Sequence, residues 1–177
     1  MSLISNSVVG IDPGPKQSGY AWFNGGPVTD CGIVANDVLL GWITDNYFGS
    51  ADIVFEQVKA YGQTVGASVF ETVFWTGRLF QAADSMPELR AVARMPRLDV
   101  KMHLCRSAKA GNTHIRAALL KRWGGIKTAK GTKASPGPLY GVTSHAWSAL
   151  AIAVVWWDRS VSSGLKTCLL PVGSHSR

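Results

Sequence analysis

Over the first third of the chain, hydrophobic positions fall into short runs separated by glycine, proline and polar turns. Residues 7–11 form an apolar run that stops at Asp12-Pro13-Gly14-Pro15, which predicts a strand closed by a turn. Residues 19–23 restart an aromatic-rich strand and residues 30–35 predict a third, so the opening reads as an antiparallel meander. Asn36 or Asp37 is placed to cap a helix running to about Phe48. Residues 51–55 predict another buried strand, ending at Glu56. Val69, Val73, Leu79 and Phe80 give residues 66–83 a helical period. Residues 101–105 predict a strand and 113–123 a basic amphipathic helix. Residues 124–143, rich in Gly, Lys, Thr and Pro, predict a mobile loop. Ser144 is a natural N-cap for a helix over 145–157. Residues 159–177 predict an edge segment or loose tail after a single domain over 1–158. Strands first, then strands alternating with helices, argue for one α/β domain with a mixed sheet.

Composition narrows the class. A chain of 177 residues that is 46% apolar and 16% charged is globular in character. A membrane span needs roughly 18 uninterrupted apolar residues. The longest run, 146–157, stops short and carries Ser148. No basic segment leads into an apolar run and cleavage site, so a cytoplasmic location is expected. Cys31, Cys105 and Cys168 are odd in number and form no CxxC, which predicts free thiols in a reducing compartment. Neither GxxxxGK[ST] nor GxGxxG is present, so the turn at Gly10–Gly14 is no nucleotide-binding loop. Charge is more telling. From Lys101 to Lys133 there are nine basic residues and no acid, whereas ten of the eleven acids precede position 100. Such asymmetry suits a polyanion, because each Lys or Arg that neutralises a phosphate releases condensed counterion.

Asp12 and Glu56 each follow a buried strand, where open α/β sheets place their ligands. If those strands are neighbours, the carboxylates converge and repel one another unless cations bind. Hard divalent ions such as Mg²⁺ are held by one or two carboxylates together with substrate phosphates. Taken alone, each acid also reads as a turn residue or a helix cap.

The pattern around them is more specific. Val8-Val9-Gly10-Ile11-Asp12-Pro13-Gly14, followed by Ser18-Gly19-Tyr20-Ala21, resembles the opening of RuvC-like Holliday-junction resolvases of the ribonuclease H-like superfamily. Phe55-Glu56-Gln57-Val58 is similar to that family's second acidic motif. The segment from Ser144 through His145, Trp147 and Ser148 to Ala151 is similar to its last, which opens a helix over the active site. Val100-Lys101, Leu104-Cys105 and the basic helix near Ile115-Arg116 resemble the phage and prophage branch. The resemblance spans about residues 8–157.

It implies an α/β fold of the ribonuclease H-like kind, a central mixed five-stranded sheet with helices on both faces. It also implies a metal-dependent endodeoxyribonuclease that resolves four-way DNA junctions by paired nicks, acting as a homodimer through the helix at 66–83. The implied metal ligands are Asp12, Glu56, His145 and Ser148, holding two Mg²⁺ ions (or Mn²⁺) about 4 Å apart. Lys101 and Lys109 would lie nearest the scissile phosphate, and Arg106, Arg116, Lys121 and Arg122 along the DNA arms; Tyr61 could stack on an unpaired base. Position 148 departs from the family, which carries Asp there. Serine brings no charge, so the chain also reads as a weakened nuclease or as a junction-binding protein that does not cut. A third reading is a nuclease of the same superfamily acting on RNA–DNA hybrids or flaps.

Overall fold

The structure is a computed structural model that describes residues 7–59, 62 and 65–168, with side chains as far as residue 162. Tyr61 and residues 169–177 lie outside the described residues. Among the described residues there are five strands in one sheet, ordered β3-β2-β1-β4-β5. They are β1 Val8–Asp12, β2 Gln17–Phe23, β3 Val28–Ala35, β4 Asp52–Gln57 and β5 Ala91–Pro96. The first three form the expected antiparallel meander, while β4 and β5 run parallel to β1. The architecture is mixed α/β, with helices covering both faces.

The central strand is apolar on successive positions because both of its faces are covered. Val8 faces the core built with α6 (Ala146–Cys168), and Val9 faces the core built with α1 (Asn36–Thr44) and α2 (Ala67–Asp84). Asp52 opens β4 buried, yet it belongs to the scaffold. It accepts bonds from Arg90 Nε at 2.7 Å and Trp156 Nε1 at 2.6 Å, tying β4, the start of β5 and α6 together.

Two glycines set how closely α6 can lie on the sheet. A Cβ at Gly10 would sit 2.0 Å from the Ala149 carbonyl oxygen, and one at Gly19 would sit 2.7 Å from the His145 carbonyl oxygen. Gly19 pairs directly with Asp12 across β1 and β2, so its missing side chain lets the start of α6 rest over that acid. Gly10→Ala must therefore push the helix off the sheet. We expect a loss of about 3 kcal/mol, seen as a thermal midpoint lower by about 6–12 °C. An unchanged midpoint would show that α6 can lift away freely.

Several expected elements differ. Residues 101–105 belong to a helix, α3 (Arg97–Cys105), not to a strand. Val100, Met102 and Leu104 look alternating, but Met102 is exposed while Val100 is buried and Leu104 packs beside that core, so the operative spacing is four. The fifth strand is instead β5, over residues 91–96, for which the sequence pattern predicts no element. The helix over 113–123 is present as α4 (Asn112–Arg122). The supposed loop at 124–143 contains α5 (Ile126–Lys130), and it buries Ala129, Leu139 and Val142 in the core. Asn36 begins α1 rather than capping it; its buried side chain accepts from Ser18 and donates to the Gly14 carbonyl, latching the first hairpin. Ser144 takes a left-handed backbone, φ 42°, instead of the extended backbone of an N-cap. Finally, α6 continues past Trp157 to Cys168, through the first half of the expected tail. No helix of the described residues is long and apolar enough to cross a membrane.

Candidate functional site

Asp12 ends β1, and Glu56 lies near the end of β4. The two strands pair in parallel with Ile11 beside Phe55, so the next residue of each brings the two carboxylates out side by side. This is the carboxyl edge of the parallel part of the sheet, where α/β folds hold ligands. His145 immediately precedes α6 and Ser148 lies in its first turn, the end held over Gly19. His145 Nδ1 lies 3.2 Å from Asp12 Oδ2, a hydrogen bond whenever that nitrogen carries the proton. The Ser148 hydroxyl is close enough to Asp12 to exert a small lowering on its carboxyl. The four residues suggested by the sequence are thus neighbours, linked through Asp12.

A fifth member was not foreseen. Arg97, the first residue of α3, donates from Nη1 to Glu56 Oε2 at 3.0 Å and from Nη2 to Asn112 Oδ1 at the start of α4. It lines a cleft of about 310 Å³ with Asp12 and Glu56. It also lines a second cleft of about 200 Å³, with Asn112, Arg116, Trp147 and Ser148. Its placement follows from β5, which no local sequence pattern marks. Residues 91–96 form a strand beside β4, with Glu56 opposite Met95 and Gln57 opposite Pro96. A residue following Pro96 must then emerge at the same edge as the two acids.

Burial dominates the electrostatics. It raises the Asp12 carboxyl above its ordinary range, more than the hydrogen bond and charge of His145, the charge of Arg97 and the Ser148 hydroxyl lower it. Burial likewise pushes Glu56 up to about 7. The Arg97 charge and hydrogen bond pull it down, the Asp12 charge adds to the rise, and Lys101 contributes a smaller lowering. Both acids are thus held against ionisation by desolvation, and only at Glu56 does the charge of the other acid add to it.

The other suggested residues fall into three groups. Lys101 and Arg116 border the site. Lys101 acts electrostatically on Glu56 and lines a third cleft with Arg97, and Arg116 sits over the Trp147 ring at 5.1 Å beside Ser148. Arg106, Lys109 and Lys121 are exposed, Arg106 with a left-handed φ of 53° at the end of α3. Arg122 is engaged elsewhere: both terminal nitrogens bond Asp158 of α6, at 2.6 and 2.7 Å, and His103 shares that carboxylate at 2.9 Å.

The donor chemistry bears on which cation fits. Among the described residues, no three His, Cys, Asp or Glu side chains already converge on one metal position. Two carboxylates beside an open cleft suit one hard divalent ion sharing its shell with a phosphate. The neutral Ser148 hydroxyl adds no charge for a second.

No protein-family model and no curated protein sequence matches this chain. Solved structures do resemble it. Thermus thermophilus RuvC superposes with a TM-score of 0.60 at 18% identity, covering 89% of this chain and 96% of that one. T. thermophilus RuvC in complex with Holliday junction substrate superposes with a TM-score of 0.59 at 15% identity, with the same coverage. The chain has the RuvC fold, of the ribonuclease H-like class.

Proposed function

We propose that this chain is a metal-dependent endodeoxyribonuclease directed at four-way or other branched DNA, weakened by serine at position 148. One observation carries the reading. Asp12 and Glu56 leave adjacent parallel strands together, with His145 brought to 3.2 Å of Asp12, in a fold shared with a protein whose structure holds a Holliday junction. Asp12 and Glu56 would hold the divalent cation, Mg²⁺ or Mn²⁺, with His145 and Ser148 at its border. When bound, such an ion supplies Lewis-acid polarisation of a phosphoryl oxygen. The chain's own residues position the substrate. His145 fixes the Asp12 carboxylate, and the guanidiniums of Arg97 and Arg116 and the Lys101 ammonium face the phosphates. The resemblance assigns a pair of ions to such sites; this donor set is matched to one.

We also read the chain as a homodimer, acting in the cytoplasm of a bacterial or phage-infected cell, in DNA recombination or repair. Paired symmetric nicks call for two-fold symmetry. Phe70, Val73 and Phe74 leave an exposed apolar face on α2, which suits the dimer contact. The rival reading, a junction-binding protein that does not cut, is favoured by the uncharged Ser148.

Incubating the full chain with a labelled four-way junction, a flap and an RNA–DNA hybrid, each in Mg²⁺ and in Mn²⁺, tests this. Symmetric nicks in the junction support the resolvase reading. A gel shift without nicks supports the binder, and cleavage of only the hybrid or flap moves the substrate class. Junction affinity should also fall steeply with salt. Lys101→Ala and Arg116→Ala should each reduce the log–log salt slope by about 0.9, the value for one phosphate contact. Arg122→Ala, by contrast, should lower stability and leave the slope unchanged, because Arg122 is paired with Asp158. If neither Lys101→Ala nor Arg116→Ala moves the slope, these residues do not face DNA.

A further inference from the structure

We propose that Arg97 is the built-in second cation of this site: it stands where a second divalent ion would otherwise be needed, and it takes a phosphate oxygen of the substrate. The inference rests on the nuclease reading above and deepens it.

Four observations carry it. The Arg97 guanidinium is inside the acidic centre, 3.0 Å from Glu56, and both partners are largely shielded, each side chain 18% exposed. Its charge reaches both acids, Asp12 as well as Glu56. It forms part of the wall of both clefts, the one beside Asp12 and Glu56 and the one beside Ser148 and Arg116. And Ser148, on the Asp12 side, offers a neutral hydroxyl, so no carboxylate is available there to hold a further ion.

Charge balance decides how many ions the site can take. Two divalent ions would bring four positive charges to two carboxylates that already face a guanidinium. A phosphodiester would leave that assembly strongly positive in a partly desolvated cleft, where unbalanced charge is most unfavourable. One ion together with Arg97 brings three positive charges against two carboxylates and one phosphate, which balance before the bordering Lys101 and Arg116 are counted, whereas a second ion would add two more to an already positive surround. Arginine also has the right donors. Two of its five N–H groups serve Glu56 and Asn112, and the remainder can reach a phosphate oxygen. A purely structural ion pair explains the Glu56 contact alone. It does not explain why the same side chain borders Ser148, Arg116 and the open clefts.

The test is Mn²⁺ titration of the full-length chain by calorimetry, with electron paramagnetic resonance of the bound ion. Wild type should take one Mn²⁺ per chain and give the six-line spectrum of an isolated ion. Arg97→Gln removes a positive charge beside that ion, so Mn²⁺ should bind at least about tenfold more tightly. Junction affinity in Mn²⁺ should move the other way, weakening by at least about tenfold. Arg97→Lys keeps the charge and should leave Mn²⁺ affinity near wild type. A thermal melt shows that each variant is folded, and the wild-type stoichiometry stands without any variant. Two spin-coupled Mn²⁺ ions in wild type would overturn the proposal while leaving the nuclease reading intact. So would a folded Arg97→Gln whose Mn²⁺ affinity is unchanged or weaker. A wild-type chain that binds no Mn²⁺ and cuts no branched substrate would overturn both.

Discussion

Asp12→Asn should abolish junction cleavage, by at least about 10³-fold, and yet raise the melting temperature in metal-free buffer at pH 8. The first half follows from the site. Asp12 is the residue that His145 and Ser148 both contact, and an amide in its place keeps the shape while losing the charge that would hold a cation. The second half follows from burial. A carboxyl whose folded pKa lies above its unfolded value contributes stability that is present below the unfolded pKa and lost as pH rises through the folded one. Glu56, pushed up to about 7 from 4.5, should therefore remove roughly 3 kcal/mol between about pH 4.5 and 7, and Asp12 acts in the same direction. The asparagine escapes its own share and also withdraws the Asp12 charge from Glu56. Melts with a chelator at pH 5 and pH 8 should show wild type less stable at the higher pH, and the variant less affected. Mn²⁺ should restore wild type at pH 8 far more than at pH 5, because it binds only the ionised acids. A large drop in the variant's metal-free midpoint would make Asp12 a structural residue instead.

The sequence made the central strands plain because a strand covered on both faces needs a continuous apolar run, and residues 8–11 and 53–55 supply it. It hid β5 for the opposite reason. Arg94 interrupts that edge strand with charge and Arg90 stands immediately before it, Arg90 answered by the buried Asp52 and Arg94 by the Phe80 ring at 5.2 Å. Those partners are 38 and 14 residues away, so no local pattern announces them. The apparent alternation of Val100, Met102 and Leu104 mimics a strand at 101–105, where the chain is helical. Residues 124–143 misled through composition. Glycine and lysine suggested mobility, while Ala129, Leu139 and Val142 quietly supplied the floor beneath α4 and α6.

The same division runs through the site. The two acids were legible because a carboxylate closing an apolar run contributes nothing to a core. Their proximity to His145 and Ser148 came only with the resemblance, since the Asp12–His145 contact spans 133 residues. Arg97 was illegible for as long as β5 was. The acid-free basic run begins at position 101, four residues past Arg97, whose guanidinium bonds an acid of the site. The basic surplus therefore contains unlike members: Lys101 and Arg116 beside the clefts, and Arg122 spent on Asp158, whose carboxyl burial raises but whose bonds from Arg122 and His103 hold below the usual range.

Ser148→Asp should raise junction cleavage by two orders of magnitude or more. Position 148 sits one helical turn from His145, and its side chain reaches Asp12, so a carboxylate there would join the acids already present. It would contribute the charge that the serine hydroxyl lacks, and each 1.36 kcal/mol of added transition-state stabilisation is tenfold in rate. The acid also has a cost. A third carboxylate beside two that burial already holds against ionisation should make the metal-free protein less stable at pH 8, with Mn²⁺ reversing the loss. Ser148→Asn separates charge from size. It has nearly the same shape as aspartate but no charge, and should give no comparable gain in rate and no comparable loss of metal-free stability. Single-turnover cleavage of a labelled four-way junction, with melts of all three proteins with and without Mn²⁺, reads both effects. If Ser148→Asp leaves the rate unchanged while its metal-free midpoint falls and Mn²⁺ restores it, the carboxylate reaches the cation but the chain is a binder for other reasons. If neither rate nor midpoint responds, position 148 does not belong to the cation site, and the placement of Ser148 at its border is wrong.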